Sequence, residues 1–190
     1  MAIGETIKRI EDPPLLIGKG RYVADLSVPG MLEACVVRSL YAHARIQSID
    51  ASDARTARGV VAIFTAADLP PDLPSIPMRL TPAPELAHAL QWPLARDTVR
   101  YTGEPVAVIV ATSRYAAEDA AEQLLIEYEK LPAVAGVEAA LRPDATILHP
   151  QIGSNDVHVI RSNKGDASSA LARAPHRLSL AFSVQRHTAV

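Results

Sequence analysis

The amino-acid sequence predicts an α/β (α+β) protein, in which the short strands of a mixed sheet pack with a few helices around a core. Short apolar runs bounded by Gly, Pro, Asn and Asp recur along the chain, as is typical of strands. Segments of helical periodicity with small apolar side chains stand between them. With 190 residues, 48% of them hydrophobic and 21% charged, the chain is long and apolar enough for a substantial core.

The first third of the chain predicts three strands and one short helix. It opens without regular structure through the two prolines at positions 13 and 14. The run Met31–Val37 is short, apolar and flanked by turn residues, which favours a largely buried strand. A second strand is predicted at Ala44–Ile49, then a short helix capped within residues 50–52, then a third strand at Val60–Phe64.

The middle of the chain predicts a long loop followed by a strand, a helix and another strand. Residues 68–93 are rich in proline and lack periodicity, so a surface loop without regular elements is expected there. The run Pro105–Val110 is the clearest strand, and Ser113 is a suitable N-cap for the helix after it. The apolar stripe of that helix consists of small residues and one leucine: Ala117, Ala120, Ala121 and Leu124. A strand at Leu125–Tyr128 and a small helix near residues 138–141 follow.

Beyond about Asn155 the chain has the pattern of a second unit. A strand is predicted at Val157–Arg161, and Asp166 can cap a helix that runs through Ala174. Apolar and polar residues then alternate over Leu178–Val184, as in a half-buried strand. Such a strand needs both a partner strand and a cover for its apolar face, so this unit is expected to be incomplete.

Composition argues against two classes of partner. The formal net charge is -2 with both signs interspersed, and aromatic residues make up 4% of the chain. A basic stripe or a stacking platform for nucleic acid is therefore not predicted. No run of about 18 apolar residues occurs, and the N-terminus lacks the pattern of a signal peptide. These features predict a cytoplasmic protein that does not enter a membrane.

The residues alone assign no catalytic chemistry. Cys35 lies in an apolar run and is interpreted as a buried, inert thiol; because it is the only cysteine, any iron–sulfur cluster must be bound elsewhere. Glu127 and Glu129 flank Tyr128 on one face of a predicted strand, and nothing distinguishes an acid from a base. The six histidines lack metal-ligand spacing and are interpreted as surface or hydrogen-bonded core residues: His43, His88, His149, His158, His176 and His187.

Eight segments, read in order, resemble one protein family. The segments are Gly20–Asp25, Pro29–Leu32, Val37–Ile46, Ser48–Asp50, Gly59–Phe64, Tyr101–Val108, Ala116–Ala121 and Glu127–Val134. Together they resemble the N-terminal part of the molybdenum-cofactor subunit of the xanthine dehydrogenase, aldehyde oxidase and carbon monoxide dehydrogenase family. The residues themselves favour architectural roles, since Gly103 and Pro105 set a turn and a strand start, and Arg38, Ser39 and His43 can tie a loop by hydrogen bonds.

The resemblance implies two domains and one cofactor contact. Residues 1–154 correspond to the α/β hammerhead domain, with residues 1–30 as an extended lead-in, and residues 155–190 to the truncated start of the first molybdopterin-binding domain. The segments Asn163–Asp166, Ala170–Ala174 and Gln185–Val190 resemble the start of that second domain. By their motif position, Gln185 corresponds to a glutamine whose amide lies beside the molybdenum oxo group in the family. The alternative is that Gln185 is one more polar residue on the outward face of a strand.

The resemblance also implies the cofactors and partners. The metal would be held through the dithiolene of a molybdopterin cytosine dinucleotide-type cofactor, so no side-chain metal ligand and no catalytic residue is assigned in this chain. Electrons would leave through iron–sulfur clusters and FAD on partner chains. The expected partners are the remaining molybdenum-binding chain, an iron–sulfur subunit and a flavin subunit.

Two functional hypotheses follow. In the first, the chain is an N-terminal portion or split subunit of a multi-subunit molybdenum hydroxylase that oxidises an aldehyde, an N-heterocycle or carbon monoxide with oxygen from water. It would be inactive alone. In the second, it is a stand-alone hammerhead module that acts as an assembly or interaction protein without cofactor.

Overall fold

Two three-stranded antiparallel sheets form the framework of the computed structural model, which describes residue 4 and residues 9–77 and 84–184. The strands are β1 (Glu33–Arg38), β2 (Ala44–Asp50), β3 (Val60–Thr65), β4 (Thr98–Val99), β5 (Pro105–Ala111) and β6 (Leu125–Lys130). The helices are α1 (Asp12–Leu16), α2 (Ser52–Thr56), α3 (Arg114–Glu122), α4 (Val137–Ala140) and α5 (Ala167–Arg173). Short 3-10 turns occupy Val23–Asp25, Ala66–Asp68 and Pro84–Ala89. The mixed α/β class predicted from the sequence is confirmed.

The first sheet has the strand order β1-β5-β3, and helices α2 and α3 pack against it. Its central strand carries the most apolar sequence of the chain, and Ile109 is fully buried. Helix α3 presents Ala117 and Ala120, both fully buried, to this core. Side chains this small let the helix approach the sheet closely. The side chain of Ser113 accepts a hydrogen bond from the backbone N–H of Ala116 at 3.2 Å, so the predicted N-cap is confirmed.

The second sheet has the order β4-β2-β6 and encloses a smaller core. Its buried members are Ala44, Ala95, Val99 and Val106. The rings of Tyr41 and Tyr128 meet edge to face with 5.1 Å between their centroids and cover one side of this core. Val106 belongs to β5 of the first sheet, so the two cores meet at that strand.

Several sequence predictions need correction in the first half of the chain. Pro13 and Pro14 do not lie in a loose opening but stand in the first turn of α1, where a missing N–H costs nothing. The predicted featureless loop contains the 3-10 turn Pro84–Ala89. Cys35 is half-buried rather than fully buried, because it packs at the margin of the first core.

The region after residue 155 differs most from expectation. Neither Val157–Arg161 nor Leu178–Val184 forms a strand, because no described strand pairs with either segment and a lone strand satisfies none of its backbone groups. Phe182 and Val184 are 84% and 83% exposed. Helix α5 does form, and the Asp166 side chain accepts a hydrogen bond from the N–H of Ser169 at 2.9 Å, as predicted.

The predicted boundary near Asn155 stays a prediction, and the contacts of this side chain are informative. The Asn155 amide donates to the carbonyl oxygens of Ala140 at 3.2 Å and Thr146 at 2.9 Å. Its oxygen accepts the N–H of Leu148 at 3.0 Å. Asn155 thus closes the loop that follows α4. Among the described residues, no helix has the length and hydropathy that a membrane span requires.

We predict that Gly59→Ala destabilises the fold more than Gly103→Ala. Both glycines have positive φ, +87° and +93°, where an L residue costs about 1–2 kcal/mol. At Gly59 an added Cβ would also lie 2.9 Å from Thr112 Oγ1 and 3.1 Å from the Ala116 Cβ, whereas at Gly103 it would meet nothing within 4 Å. Overpacking adds about 1–3 kcal/mol at Gly59. Equal losses in the free energy of unfolding, measured by urea denaturation, would contradict this close packing.

Candidate functional site

The residue assigned to the cofactor from the sequence, Gln185, lies outside the described residues. The chain that leads to it, Leu178–Val184, is exposed and unpaired with any described strand. Within the described part of the chain, no group of three or more His, Cys, Asp or Glu side chains can hold a metal ion. The described polar side chains that could have a chemical role are found where secondary-structure elements meet.

The loop after β1 and the turn before β5 form one hydrogen-bonded junction. The N–H of Gly103 donates to the Ser39 carbonyl at 2.8 Å, and the N–H of Ser39 donates to the Glu104 carbonyl at 2.9 Å. The Arg38 guanidinium adds a bond to the Gly103 carbonyl at 2.8 Å. The positive φ of Gly103 makes this tight approach possible. The loop-tying role predicted for Arg38 and Ser39 is confirmed.

Two buried polar side chains complete this junction on its inner side. Ser39 is 1% exposed; its hydroxyl donates to the Tyr41 carbonyl at 2.9 Å and accepts the Tyr41 N–H at 3.0 Å. His43 is 8% exposed, and its Nδ1 lies 2.7 Å from the Pro132 carbonyl oxygen. The interpretation of His43 as a hydrogen-bonded core histidine is confirmed. Backbone groups thus hold the Ser39 hydroxyl and the Nδ1 side of the His43 ring in place.

Glu104 is the buried carboxyl that the sequence reasoning missed. It is 7% exposed, and its carboxylate accepts the backbone N–H of Arg100 at 2.5 Å. Burial raises the pKa of Glu104 above its ordinary value, an effect opposed by this hydrogen bond and by the nearby Arg100 charge. One feature of the sequence could have indicated that Glu104 is buried, because it is an isolated acid directly before the most apolar strand.

Arg100 connects the end of β4 with the loop that contains Leu148, beside this carboxyl. Its Nε donates to the Leu148 carbonyl at 3.2 Å and its Nη1 to the Thr98 carbonyl at 3.0 Å. Burial, together with the Arg100 charge, lowers the pKa of His149. These groups surround an open cavity of about 290 Å³, lined also by Trp92, Arg96 and Asp97 among others. Through their bonds to backbone groups, Arg100 and Glu104 hold the turn before β5 against the loop that contains Leu148.

The paired glutamates of β6 also have a structural role. Glu127 accepts the Ser48 hydroxyl at 2.8 Å, and Glu129 accepts Arg45 at 2.5 Å and the Gln47 amide at 2.8 Å. Both acids therefore face the same side of the second sheet, as predicted from their spacing. They stabilise the pairing of β2 with β6.

Comparison with known proteins identifies the module. Residues 17–132 match the family model described as aldehyde oxidase and xanthine dehydrogenase, a/b hammerhead domain. The chain belongs to this family. It is 44% identical over 145 residues to the carbon monoxide dehydrogenase large chain of Afipia carboxidovorans, covering 76% of this chain and 17% of the relative. It is 39% identical over 184 residues to the nicotine 6-hydroxylase large subunit of Paenarthrobacter nicotinovorans, covering 95% and 22%.

Solved structures agree with the sequence comparison. Quinoline 2-oxidoreductase from Pseudomonas putida 86 superposes with a TM-score of 0.69 at 38% identity, over 92% of this chain and 22% of that one. The aldehyde oxidoreductase from Desulfovibrio desulfuricans ATCC 27774 gives a TM-score of 0.76 at 25% identity, over 90% and 19%. The chain thus spans about a fifth of the length of these hammerhead-containing proteins, and the resemblance stated from the sequence is confirmed.

We predict that Glu104→Gln changes the pH dependence of stability. A carboxyl whose pKa is raised by folding favours the protonated state in the folded protein. As the pH rises from the ordinary value of 4.5 through the raised pKa, the wild-type free energy of unfolding should fall relative to that of the variant. The amide keeps an oxygen acceptor for the Arg100 N–H. Urea denaturation between pH 4 and 8 measures this difference.

The matched control is Glu122→Gln, which neutralises an exposed carboxyl on α3. Its stability curve should run parallel to that of the wild type. A Glu104→Gln curve that also runs parallel to the wild type would show that burial of this carboxyl has no energetic consequence.

Proposed function

We propose that this chain is the hammerhead portion, or a split subunit, of a molybdenum hydroxylase, and that it works only together with the remaining molybdenum-binding chain. The supporting observation is a hammerhead match over residues 17–132 combined with coverage of 17% and 22% of two relatives. Those relatives are named as large chains or large subunits of oxidoreductases. This chain would supply architecture and one contact on the cofactor side.

The described residues contain no cluster of metal ligands, which is compatible with a cofactor that supplies the ligands of its own metal. The described part of the chain has no cluster of metal-binding side chains, and the whole chain has one cysteine. A metal held through a pterin dithiolene needs no side-chain ligand from this module. We propose a molybdopterin cytosine dinucleotide-type cofactor, which when bound would supply the two-electron oxidation of the substrate.

The single cysteine of the chain supports the proposed partners. One cysteine cannot ligate an iron–sulfur cluster, so electron transfer would require an iron–sulfur subunit and a flavin subunit bearing FAD. The relative named 6-hydroxypseudooxynicotine dehydrogenase complex subunit gamma, 38% identical over 192 residues, belongs to a complex by its name. We place the assembled enzyme in the cytoplasm. Its substrate would be an aldehyde, an N-heterocycle or carbon monoxide.

In this proposal, Gln185 is the residue of this chain that contacts the cofactor. A primary amide both donates and accepts hydrogen bonds, so it can orient toward a polar group of the cofactor while a neighbouring donor fixes its position. The buried polar groups of the described residues are tied to backbone partners, which leaves them to hold the hammerhead rigid.

We predict that the isolated chain binds no molybdenum cofactor and has no hydroxylase activity, whereas its complex with the remaining molybdenum-binding chain contains molybdenum. Metal analysis and visible absorbance of both preparations measure this. A stable native complex that lacks molybdenum would instead support the assembly-module hypothesis, and robust turnover by the isolated chain would contradict the proposal.

We predict that residues 155–184 gain protection only in the complex. The motivating observation is the exposed apolar row that includes Leu178 at 83% and Phe182 at 84% exposure. An apolar segment that finds its cover on a partner is cleaved readily when alone. Limited proteolysis should trim this region from the isolated chain and spare it in the complex, while the two sheets survive in both. Equal protection in both samples would count against the boundary near Asn155.

We predict that Gln185→Ala reduces the rate of cofactor reduction by substrate far more than it reduces stability. Loss of one positioned hydrogen-bond donor during the reaction costs roughly 2–4 kcal/mol of transition-state stabilisation by analogy with other enzymes. We expect the substitution to change the free energy of unfolding by about 0.5 kcal/mol or less, as is typical of a polar residue that holds no structural element together. The measurement is the reductive half-reaction of the assembled complex, with its molybdenum content determined in parallel.

Arg186→Ala is the control for this prediction. The family resemblance assigns no cofactor contact to Arg186, so removing its side chain should leave the reduction rate unchanged. If Gln185→Ala keeps both the cofactor content and the reduction rate of the wild type, Gln185 has no role toward the cofactor.

A further inference from the structure

The loop that follows helix α4, residues 141–155, contains no helix or strand and is held in place by hydrogen bonds. From outside the loop, the Arg100 guanidinium donates to the Leu148 carbonyl at 3.2 Å. Inside the loop, the next carbonyl, that of His149, accepts the N–H of Ile152 at 2.9 Å. The attachment of the 141–155 loop therefore depends on the surroundings of two adjacent residues.

The half-buried His149 side chain lines the open cavity of about 290 Å³ beside Arg100. The other walls of this cavity come from the 3-10 turn Pro84–Ala89, the segment before β4 and the turn before β5. Trp92, the single tryptophan of the chain, lines the same cavity. Movement of the His149 ring out of the cavity therefore changes the surroundings of this tryptophan.

Charged and titratable groups from each of these walls face the cavity with His149. Among the described residues they are His88, Arg96, Asp97, Arg100 and Glu104. The first three are exposed to water, which screens their charges. The buried Glu104 carboxylate already accepts the backbone N–H of Arg100 within its own turn. The half-buried guanidinium of Arg100 is therefore the charge that a cation on the His149 ring would oppose.

A proton on the His149 ring is unfavourable while the loop is attached. Burial, and then the Arg100 charge, lower the pKa of His149 below its ordinary value of 6.5, and the backbone of His88 opposes this effect. The attached loop thus favours the neutral ring, so its full stabilisation is present above pH 6.5. That stabilisation is lost as the pH falls from 6.5 through the lowered pKa.

We propose that the 141–155 loop is a pH-sensitive clasp, which is attached when His149 is neutral and released when His149 takes up a proton. On release the ring leaves the cavity for water, where its charge is hydrated and no longer faces Arg100. The bond from Arg100 to the Leu148 carbonyl is broken in the same step. Mild acid thus frees the end of the module from which residues 156–184 extend. This device is independent of the proposed function.

Hydrogen–deuterium exchange of the full chain at about pH 7.5 and about pH 5.5 tests the clasp. Exchange rates are divided by the intrinsic rates at each pH, so that they report opening of the structure alone. Protection of the Leu148 and Ile152 amides should fall about threefold or more at the lower pH, while protection in β5 stays unchanged. Unchanged protection of the two loop amides in the wild type would overturn the proposal.

The titration of the wild-type ring provides a second measurement that needs no substitution. The NMR signals of the His149 ring follow its protonation, and the emission maximum of Trp92 follows release of the loop. Both midpoints should coincide, below the ordinary value of 6.5. A release curve that follows the His88 ring instead would overturn the assignment to His149.

Three variants separate His149 from the other titratable groups. The amide in His149→Gln takes up no proton, so loop protection should be the same at both pH values. His176→Gln, which changes an exposed histidine outside the cavity, should keep the wild-type pH dependence. Glu104→Gln should also keep it. If the pH dependence survives in His149→Gln and disappears in Glu104→Gln, the carboxyl controls the loop and the proposal is wrong.

Discussion

The rest of this fold depends on the burial of strand β5, which contributes side chains to both cores. Ala107, Ile109 and Ala111 belong to the core beneath α3, while Val106 belongs to the core of the second sheet. Strand β5 therefore connects the two hydrophobic cores, and neither sheet by itself encloses both of them. Its position between β1 and β3 satisfies its backbone on both edges. The Ser39, Gly103 and Glu104 junction fixes the point at which this strand enters the core.

The polar chemistry of the described residues serves this architecture. Ser39, His43 and Glu104 are buried, and each bonds to a backbone group, which is how a fold accommodates polar atoms away from water. None of them is paired with a second titratable group in the way that acid–base catalysis requires.

Two regions leave groups without a partner among the described residues. The apolar side chains of residues 178–184 are exposed, and the backbone of Gln47–Asp50 has no described strand on one side. These features are of different kinds, since one is a loss of apolar burial and the other a row of open hydrogen-bonding groups.

The sequence by itself determined strands β1, β2, β3, β5 and β6, the capped helices α3 and α5, and the family. These predictions rest on local sequence patterns. Each pattern spans a few neighbouring residues, as in the apolar run of β5, the cap at Ser113 and the family-like segments. The tertiary structure decided which strands pair, where the buried Glu104 sits and that residues 157–161 and 178–184 form no strands. Strand pairing and burial depend on residues that are far apart in sequence, so a local pattern cannot predict them. A segment with alternating apolar residues also forms no strand when its backbone has no partner strand to bond.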